Sequence, residues 1–221
     1  MELANLLESI GLEMPSDDTL LIEAFTHSSY ANEHHTKCNE RLEYLGDAVL
    51  ELCMSTYLYG SLSQDEGVLT QKRAQAVREE ALDIYASKID LQKYLLLGKG
   101  EEKTGGRNNK AIIADAFEAF LGAIYLIYGF DKARMVFTKL VLPYIEETAS
   151  IKDYKSMFQE EIQSEKRNID YKIVSETGPT HDRVFEAEVY IDGLVYGHGM
   201  GKTKKEAEQM AAKEALLKRA K

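Results

Sequence analysis

The chain has 221 residues, of which 44% are hydrophobic and 29% are charged. These values are typical of folded globular proteins, and they exclude a disordered chain, a collagen-like repeat and a small disulfide-stabilised domain. The 37 acidic residues outnumber the 27 basic ones, which gives a formal net charge of −10. Taken over the whole chain, this charge argues against nucleic-acid binding.

Cysteine usage and the amino terminus bear on the cellular compartment. Cys38 and Cys53 lack the spacing of a metal-binding pair, and a chain of this length can form a core without a disulfide. The amino terminus lacks the basic start and apolar centre of a signal peptide. The most apolar stretch, 111–128, is interrupted by Asp115 and Glu118, which makes it a poor membrane span. We therefore expect a cytoplasmic protein that does not enter a membrane.

The charge is unevenly distributed along the chain. Residues 1–150 contain 14 basic and 24 acidic residues, whereas residues 151–221 contain 13 of each. The whole excess of negative charge therefore lies in the amino-terminal part. Together with a polar run near residue 150, this shift predicts a first domain over 1–148, a linker over 149–153 and a second domain over 154–221.

The two parts differ in their hydrophobic patterns. The first part is apolar at helical spacing, or throughout, over 20–25, 42–57, 71–86 and 111–128. In the second part, the hydrophobic pattern predicts a helix over 154–165, strands over 171–176, 185–191 and 194–199, and an alanine-rich helix over 204–219. Asp192-Gly193 is a typical two-residue hairpin turn. We therefore expect an all-α domain followed by a small α-β-β-β-α domain.

An acidic stripe lies along one side of the helix that begins near Asn39 and continues over 42–57. Glu40, Glu43 and Asp47 fall at i, i+3 and i+7, within about one-sixth of the helix circumference. The opposite side is expected to pack on the core and comprises Leu42, Leu45, Val49, Leu52 and Thr56. Because any solvated amphipathic helix has this pattern, the stripe alone favours an ordinary surface.

The helix predicted over 111–128 is apolar on nearly every side and is expected to be buried almost all round. Asp115 and Glu118 lie one turn apart on it, and burying two uncompensated carboxylates is costly. Basic partners, protonation or a bound cation could each neutralise them, and the pattern leaves metal binding and structural pairing equally open. If Glu43 and Asp47 lie opposite, the all-oxygen set suits Mg²⁺ or Mn²⁺ better than Zn²⁺.

Three other features are weaker candidates. A zinc site at His34, His35 and Cys38 is less favoured than a surface loop. The sequence at 201–203, Gly-Lys-Thr, lacks the first glycine of a phosphate-binding loop, so we expect no nucleotide cofactor. The glycine-rich loop 100–110, with Lys103, Arg107 and Lys110, is either a connector or a basic flap that contacts a polyanion.

Lysines also gather at the start of the last predicted helix, at positions 202, 204 and 205. Positive charge there opposes the helix dipole. A solvated basic face is the ordinary interpretation, but a docked anion would explain the placement, because helix-start amides and lysines together bind phosphate.

Residues 39–50 read Asn-Glu-Arg-Leu-Glu-Tyr-Leu-Gly-Asp-Ala-Val-Leu, which resembles the signature of the ribonuclease III family. The similarity continues, in family order, at 26–33, 66–70 and 115–119. Residues from 153 to 207 resemble a double-stranded RNA-binding domain. The resemblance implies an α+β multidomain protein, with an all-α ribonuclease III catalytic domain over 1–148 and an α-β-β-β-α RNA-binding domain over 154–221.

The resemblance also implies roles for the acidic residues. Glu43, Asp47, Asp115 and Glu118 match the family's metal-binding carboxylates, of which Asp47 and Glu118 are also catalytic, and Glu40 and Glu66 match positions that support RNA cleavage. The implied reaction is hydrolysis of double-stranded RNA with Mg²⁺, for which Mn²⁺ substitutes. A metal-activated water attacks phosphorus in line, and the products carry 5′-phosphate and 3′-hydroxyl ends. The family expectation is processing of ribosomal RNA precursors, messenger RNA and other structured RNAs.

The implied partners are duplex RNA and a second copy of the chain. In the second domain the resemblance places Gln159, Gln163 and His181 in the RNA minor groove, and it places three lysines on the phosphates, namely Lys202, Lys204 and Lys205. Tyr44 occupies a position where the family commonly has Phe, which enters a socket on the partner subunit. We still expect a homodimer, because a duplex has two strands to cut.

Two other functions compete with RNA cleavage as interpretations of this sequence. A protein that binds duplex RNA without cutting it would use the acidic domain only for dimerisation, but every metal carboxylate of the family is present. A metal phosphohydrolase of small phosphate esters would leave the second domain and its lysines without a purpose.

Overall fold

The computed structural model describes residues 2–149, 154–179 and 183–219. The chain divides into two compact units, Met1–Ser150 and Ile151–Lys221. Beyond its first residue, the linker predicted over 149–153 lies outside the described residues, and so does His181.

The first unit is helical throughout its regular structure, which confirms the all-α prediction. Its helices are α1 Glu2–Ile10, α2 Thr19–Ala24, α3 Ser28–His34, α4 Glu40–Ser61, α5 Glu66–Ala76, α6 Glu79–Ser87, α7 Lys99–Lys103, α8 Lys110–Tyr128, α9 Phe130–Leu140 and α10 Ile145–Ala149. Short 3₁₀ turns lie at Leu91–Tyr94, Gly106–Asn108 and Leu142–Tyr144. A single parallel bridge joins Thr26 to Leu96.

Helix α8 forms the centre of this unit, as its apolar sequence predicts. Eleven of its residues are buried, and α4 is its most extensive packing partner. The Asn109 side chain caps α8 by accepting the Ala111 N–H at 3.1 Å. By length and composition α8 could cross a membrane, but 61% of its apolar window is buried inside the unit, as in an ordinary core helix.

The stretch 71–86, predicted as continuously helical, is two helices in the structure. Helix α5 ends at Ala76, and α6 begins after Arg78, whose backbone is extended. The buried Tyr85 hydroxyl donates to the Ala76 carbonyl at 3.1 Å, so a side chain of α6 satisfies an acceptor left open at the end of α5. The break at 77–78 leaves α5 and α6 as separate helices that contact each other.

The buried side of α4 is rotated from the side that periodicity predicts. Leu42 and Val49 are buried as expected, but Leu52 and Thr56 are exposed and Leu45 is half-buried. The buried side instead continues through Gly46, Leu50, Cys53 and Met54. Gly46 sets this rotation because α8 packs directly on its backbone.

The second unit confirms the α-β-β-β-α order. Its elements are α11 Tyr154–Ser164, β1 Ile169–Thr177, β2 Val184–Ile191, β3 Leu194–Gly201 and α12 Lys204–Arg219. The strands form one antiparallel sheet in the order β1-β2-β3. Asp192 and Gly193 join β2 to β3 with φ values of 49° and 83°, the positive angles that a tight hairpin turn requires.

Small residues bring α12 directly onto β3. A β-carbon at Gly199 would lie 2.1 Å from the main-chain nitrogen of Ala211, which no side chain tolerates. The core of this unit comprises Phe158, Ile162, Ala187, Val189, Ile191, Ala207, Ala211, Ala212 and Ala215. The start of α12, in contrast, is exposed.

Candidate functional site

Two glycines bring the acidic helices into backbone contact. A β-carbon at Gly46 of α4 would lie 1.8 Å from the main-chain oxygen of Glu118 on α8, and one at Gly122 would lie 2.4 Å from the Leu42 oxygen. Only residues without a β-carbon permit this approach. Glu43 and Asp47 flank Gly46 in sequence, so the contact brings them next to Glu118.

Glu118 lies at the centre of the resulting carboxylate cluster. Burial, reinforced by repulsion from neighbouring carboxylates, raises its pKa to about 8. The neighbours that contribute are Asp47, Glu43, Asp115 and Glu51. The four carboxylates expected from the sequence, Glu43, Asp47, Asp115 and Glu118, are therefore close enough to interact electrostatically.

Glu43 and Asp115 have environments of the same kind. Burial raises the pKa of Glu43, and Asp115, Glu40 and Asp47 raise it further. Burial and Glu79 raise the pKa of Asp115, whereas His27 lowers it. Glu40 thus lies at the edge of the cluster.

Three further residues, Glu51, Glu79 and His27, lie near the cluster in the structure. The spacing of residues within one helix did not predict this. Glu51 lies one turn beyond Asp47 on α4, and Glu79 begins α6. A sequence signal existed only for His27, which lies in the segment 26–33 that resembles the family. That resemblance gave His27 no role.

In the described part of the chain, the negative charge of the four carboxylates is not neutralised by ion pairs. Within the described residues, none of the four carboxylates forms an ion pair with lysine or arginine. Of the alternatives that the sequence left open, pairing with basic side chains is therefore not observed in this part of the chain. Protonation or a cation remains, and an all-oxygen set of repelling carboxylates fits a hard divalent cation such as Mg²⁺.

The carboxylates do not form a closed set of ligands. Over the described ranges, no three His, Cys, Asp or Glu side chains are arranged as a metal-binding group. Asp47 is exposed, whereas Glu43, Asp115 and Glu118 are each partly buried. The cluster is therefore open on the side of Asp47.

Glu66 lies apart from this cluster. It is exposed at the start of α5, where the preceding Asp65 side chain caps the helix by accepting the Val68 N–H at 3.1 Å. Glu66 lines an open groove of about 680 Å³ between α4 and α5, together with Tyr59 and Arg73. It is not among the groups that shift the pKa of Glu43, Asp115 or Glu118.

The three candidate zinc ligands, His34, His35 and Cys38, do not form a metal-binding group in the structure. His34 stacks on Tyr30 with ring centroids 4.0 Å apart. His35 ends α3 in the left-handed conformation, with φ of 54°.

The loop 100–110 is anchored to the first unit. Arg107 donates to both oxygens of Glu102 and to the main-chain oxygens of Gln92 and Leu95, at 2.7 and 3.1 Å for the last two. Lys110 lies 3.4 Å from Asp83. The Arg107 guanidinium thus holds the loop in place, as a connector requires, and contact of the loop with a polyanion stays a prediction.

In the second unit, the expected RNA-binding residues are exposed on two elements. Gln159 and Gln163 lie one turn apart on α11. Three exposed lysines surround the start of α12, namely Lys202, Lys204 and Lys205. This start is capped reciprocally, since Thr203 Oγ accepts the Glu206 N–H at 3.1 Å and Glu206 accepts the Lys202 N–H at 2.7 Å.

Helix α4 also has an exposed apolar face. Tyr44, Leu52 and Tyr59 are 83%, 54% and 82% exposed. At 100° per residue these three side chains lie within about a quarter of the helix circumference. Such a face on a core helix is typical of a protein interface.

Comparison with known families identifies both units. Residues 17–145 match the family model described as Ribonuclease-III-like, and residues 154–219 match the double-stranded RNA binding motif.

Relatives of similar length and a solved structure agree with these matches. The chain is 54% identical over 209 residues to Ribonuclease 3 of Onion yellows phytoplasma (strain OY-M), covering 94% of this chain and 87% of that protein. It is 49% identical over 223 residues to Ribonuclease 3 of Oceanobacillus iheyensis, covering 98% and 97%. The nuclease domain of ribonuclease III from Campylobacter jejuni, a structure described for flexibility in a region involved in dimer formation, has a TM-score of 0.58 and 38% identity, covering 62% and 93%. The chain therefore belongs to the ribonuclease III family.

Proposed function

We propose that Glu43, Asp47, Asp115 and Glu118 hold the divalent metal with which this enzyme cuts double-stranded RNA, and that the ion is Mg²⁺, with Mn²⁺ as a substitute. Family membership makes the protein a metal-dependent endoribonuclease that acts on double-stranded RNA. The metal-binding residues, the identity of the ion and the oligomeric state of the enzyme are our proposals.

The environment of Glu118 carries the proposal. Its carboxylate is partly buried, repelled by Asp47, Glu43 and Asp115, and without a basic partner among the described residues. Such an arrangement is unfavourable for the folded protein alone, and a cation bound by these oxygens relieves it. Perturbed carboxylates of this kind are typical of functional sites.

A divalent ion bound here supplies charge stabilisation of the phosphate and a lowered pKa for the attacking water. Helices α4 and α8 hold the four carboxylates at fixed positions through the Gly46 contact. The exposed Asp47 leaves the cluster open to a polymeric substrate. We propose Asp47 and Glu118 as catalytic residues, with products that carry 5′-phosphate and 3′-hydroxyl ends.

We propose supporting roles for two further acidic residues. Glu40 lies at the edge of the cluster, where it raises the pKa of Glu43. Glu66 is exposed in the groove between α4 and α5, beside the basic side chain of Arg73. Both would act on RNA engagement rather than as metal ligands.

We propose that the second unit supplies most of the affinity for the duplex. Gln159, Gln163 and His181 are proposed to contact the minor groove, while three lysines bind phosphates, namely Lys202, Lys204 and Lys205. The even charge balance of residues 151–221, compared with the acidic first part, supports this division of labour.

We propose that the enzyme is a homodimer. The exposed face formed by Tyr44, Leu52 and Tyr59 supplies an apolar surface for a second copy of the chain. Two copies provide two active sites for the two strands of a duplex. The Tyr44 hydroxyl then requires a polar partner or water at the interface.

We also propose that the substrates include ribosomal RNA precursors, messenger RNA and other structured RNAs in the cytoplasm. Recognition of duplex shape rather than base sequence supports a broad set of structured substrates. Cys38 and Cys53 are both free thiols, a state that a reducing compartment maintains.

A long end-labelled RNA duplex tests the proposal. The enzyme is incubated with Mg²⁺, with Mn²⁺, with Ca²⁺ or with a chelator, beside Glu118→Gln and the matched surface variant Glu8→Gln. We expect discrete fragments with 5′-phosphate ends from wild type and Glu8→Gln in Mg²⁺ and Mn²⁺, and none from Glu118→Gln. Bound but uncut duplex under every condition would instead identify a binding protein.

A further inference from the structure

His27 has one ring nitrogen whose role is fixed by its neighbours. Its Nδ1 accepts the main-chain N–H of Ser29 at 3.3 Å and lies 2.8 Å from Ser29 Oγ. That Oγ already accepts the Gly98 N–H at 2.9 Å, so its own proton is available to donate to Nδ1. With two donors directed at Nδ1, the proton of the neutral ring is on Nε2.

Main-chain hydrogen bonds join the residue before His27 to the first turn of α4, which carries Glu43. The carbonyl of the preceding residue, Thr26, accepts the Asn39 N–H at 2.9 Å, and the Asn39 carbonyl accepts the Glu43 N–H at 2.9 Å. His27 therefore adjoins the first turn of α4. The ring is also close enough to Asp115 of α8 to influence the pKa of that carboxyl group.

The other nitrogen, Nε2, is available to a ligand. The His27 side chain is only partly buried, and Nε2 makes no hydrogen bond with any residue in the described part of the chain. An RNA phosphate that approaches Glu43, Asp47, Asp115 and Glu118 meets strong repulsion. A hydrogen-bond donor at the edge of this cluster offsets part of that repulsion.

We propose that the His27 Nε2–H donates a hydrogen bond to a phosphate oxygen of the RNA strand at the carboxylate cluster and so helps to place the scissile phosphodiester. This inference rests on the proposed function of the cluster. The competing interpretation is structural, since His27 caps α3 through Nδ1 and nothing more.

Two substitutions separate these roles. In His27→Asn, the side-chain oxygen replaces Nδ1 as the acceptor for Ser29 and keeps an efficient helix cap, but no group remains at the Nε2 position. In His27→Gln, the amide nitrogen reaches the Nε2 position, while the acceptor at Nδ1 is lost. His35→Asn is the matched control, because His35 has a left-handed backbone that asparagine tolerates.

The measurements are kcat/KM for a defined duplex with Mg²⁺, duplex affinity with Ca²⁺ in place of Mg²⁺, and thermal stability of the full chain. We expect His27→Asn to fold and bind duplex as wild type does while its kcat/KM falls by on the order of 10- to 100-fold. His27→Gln should be the faster of the two variants, and His35→Asn should match wild type.

The ratio of kcat/KM for His27→Gln to that for His27→Asn decides the question. A ratio above one, with His27→Asn slower than wild type, supports the donor role. A ratio at or below one, or wild-type activity in His27→Asn, overturns it. If wild type itself shows no metal-dependent cleavage, the proposed function fails first, so the two failures are distinguishable.

Discussion

The main-chain oxygen of Glu118 occupies the space where a β-carbon of Gly46 would lie, at a separation of 1.8 Å. One contact therefore sets both the packing of α4 on α8 and the position of the carboxylates that flank it. The fold and the proposed active site depend on the same glycine.

Gly46→Ala should damage both. The added methyl group forces α4 away from α8, which we expect to lower the free energy of unfolding by about 3 kcal/mol and to abolish RNA cleavage. Urea denaturation and a duplex cleavage assay measure the two effects.

Gly60→Ala on the same helix is the control, since no atom lies within 4 Å of its new β-carbon. It should be neutral or stabilising by up to about 1 kcal/mol. Equal effects of the two substitutions would contradict the contact.

Without metal, the stability of the protein should depend on pH through Glu118. Its pKa is about 8 in the folded protein against an ordinary value of 4.5, so the folded state holds a proton that the unfolded chain releases. The stability from this group is present below pH 4.5 and is lost as the pH rises to about 8. Glu118→Gln has no titrating carboxyl group at this position, so its stability does not fall with pH in this way.

Denaturation in chelator at pH 5 and pH 8 checks the sign. The stability of Glu118→Gln relative to wild type should increase between the two pH values, because wild type alone loses the Glu118 contribution. Saturating Mg²⁺ should then stabilise wild type more at pH 8 than at pH 5 and should have less effect on the variant. A difference between variant and wild type that is independent of pH would contradict the buried, repelled environment of Glu118.

The lysines at the start of α12 should determine how strongly duplex binding depends on salt. Lys204→Ala with Lys205→Ala should weaken binding for all sequences and lower the slope of log K against log salt by about one unit for each phosphate that the variant no longer neutralises. Titrations of a labelled duplex at several salt concentrations measure the slope. Lys213 lies more than two turns further along α12, near the Tyr154 ring, so Lys213→Ala should leave the slope unchanged. An unaltered slope in the double variant would place the RNA elsewhere.

The exposed face of α4 should hold the dimer together. Leu52→Glu introduces a charge between Tyr44 and Tyr59, which we expect to shift the protein to a monomer at micromolar concentration in sedimentation experiments. Leu217→Glu is matched in exposure, at 59% against 54%, and should leave the sedimentation coefficient of the dimer unchanged. A monomeric wild type, or a dimeric Leu52→Glu, would show that another surface or no surface pairs the chains.

Patterns within single elements predicted much of this protein. The apolar run of α8 predicted its burial, and the alternation over 185–191 predicted which side of β2 faces the core. The order of helices and strands in the second unit followed from the same periodicities. These patterns succeed because one element's burial depends mainly on its own spacing of apolar residues.

The position of one helix against another was harder to predict. Leu52 and Thr56 were expected on the core side of α4, but α8 packs on Gly46, which periodicity does not count as apolar. The approach of Glu51 and Glu79 to the cluster depends on this packing, so spacing along a single helix could not reveal it. Likewise, Arg107 is one of the positive charges of the loop in sequence, but in the structure it forms four hydrogen bonds to Glu102 and to main-chain oxygens.

The most direct test of the carboxylate cluster is the single-turnover cleavage rate of one RNA duplex as a function of Mg²⁺ concentration. The enzymes compared are wild type, Glu43→Gln, Asp47→Asn, Asp115→Asn, Glu118→Gln and the surface control Glu8→Gln. We predict that each cluster variant cleaves slower by on the order of a thousandfold at saturating duplex, while duplex affinity in Ca²⁺ stays at the wild-type value. A cluster variant that keeps the rate and the Mg²⁺ dependence of wild type would contradict the assignment of that carboxylate, and wild-type behaviour in all four would place the active site elsewhere.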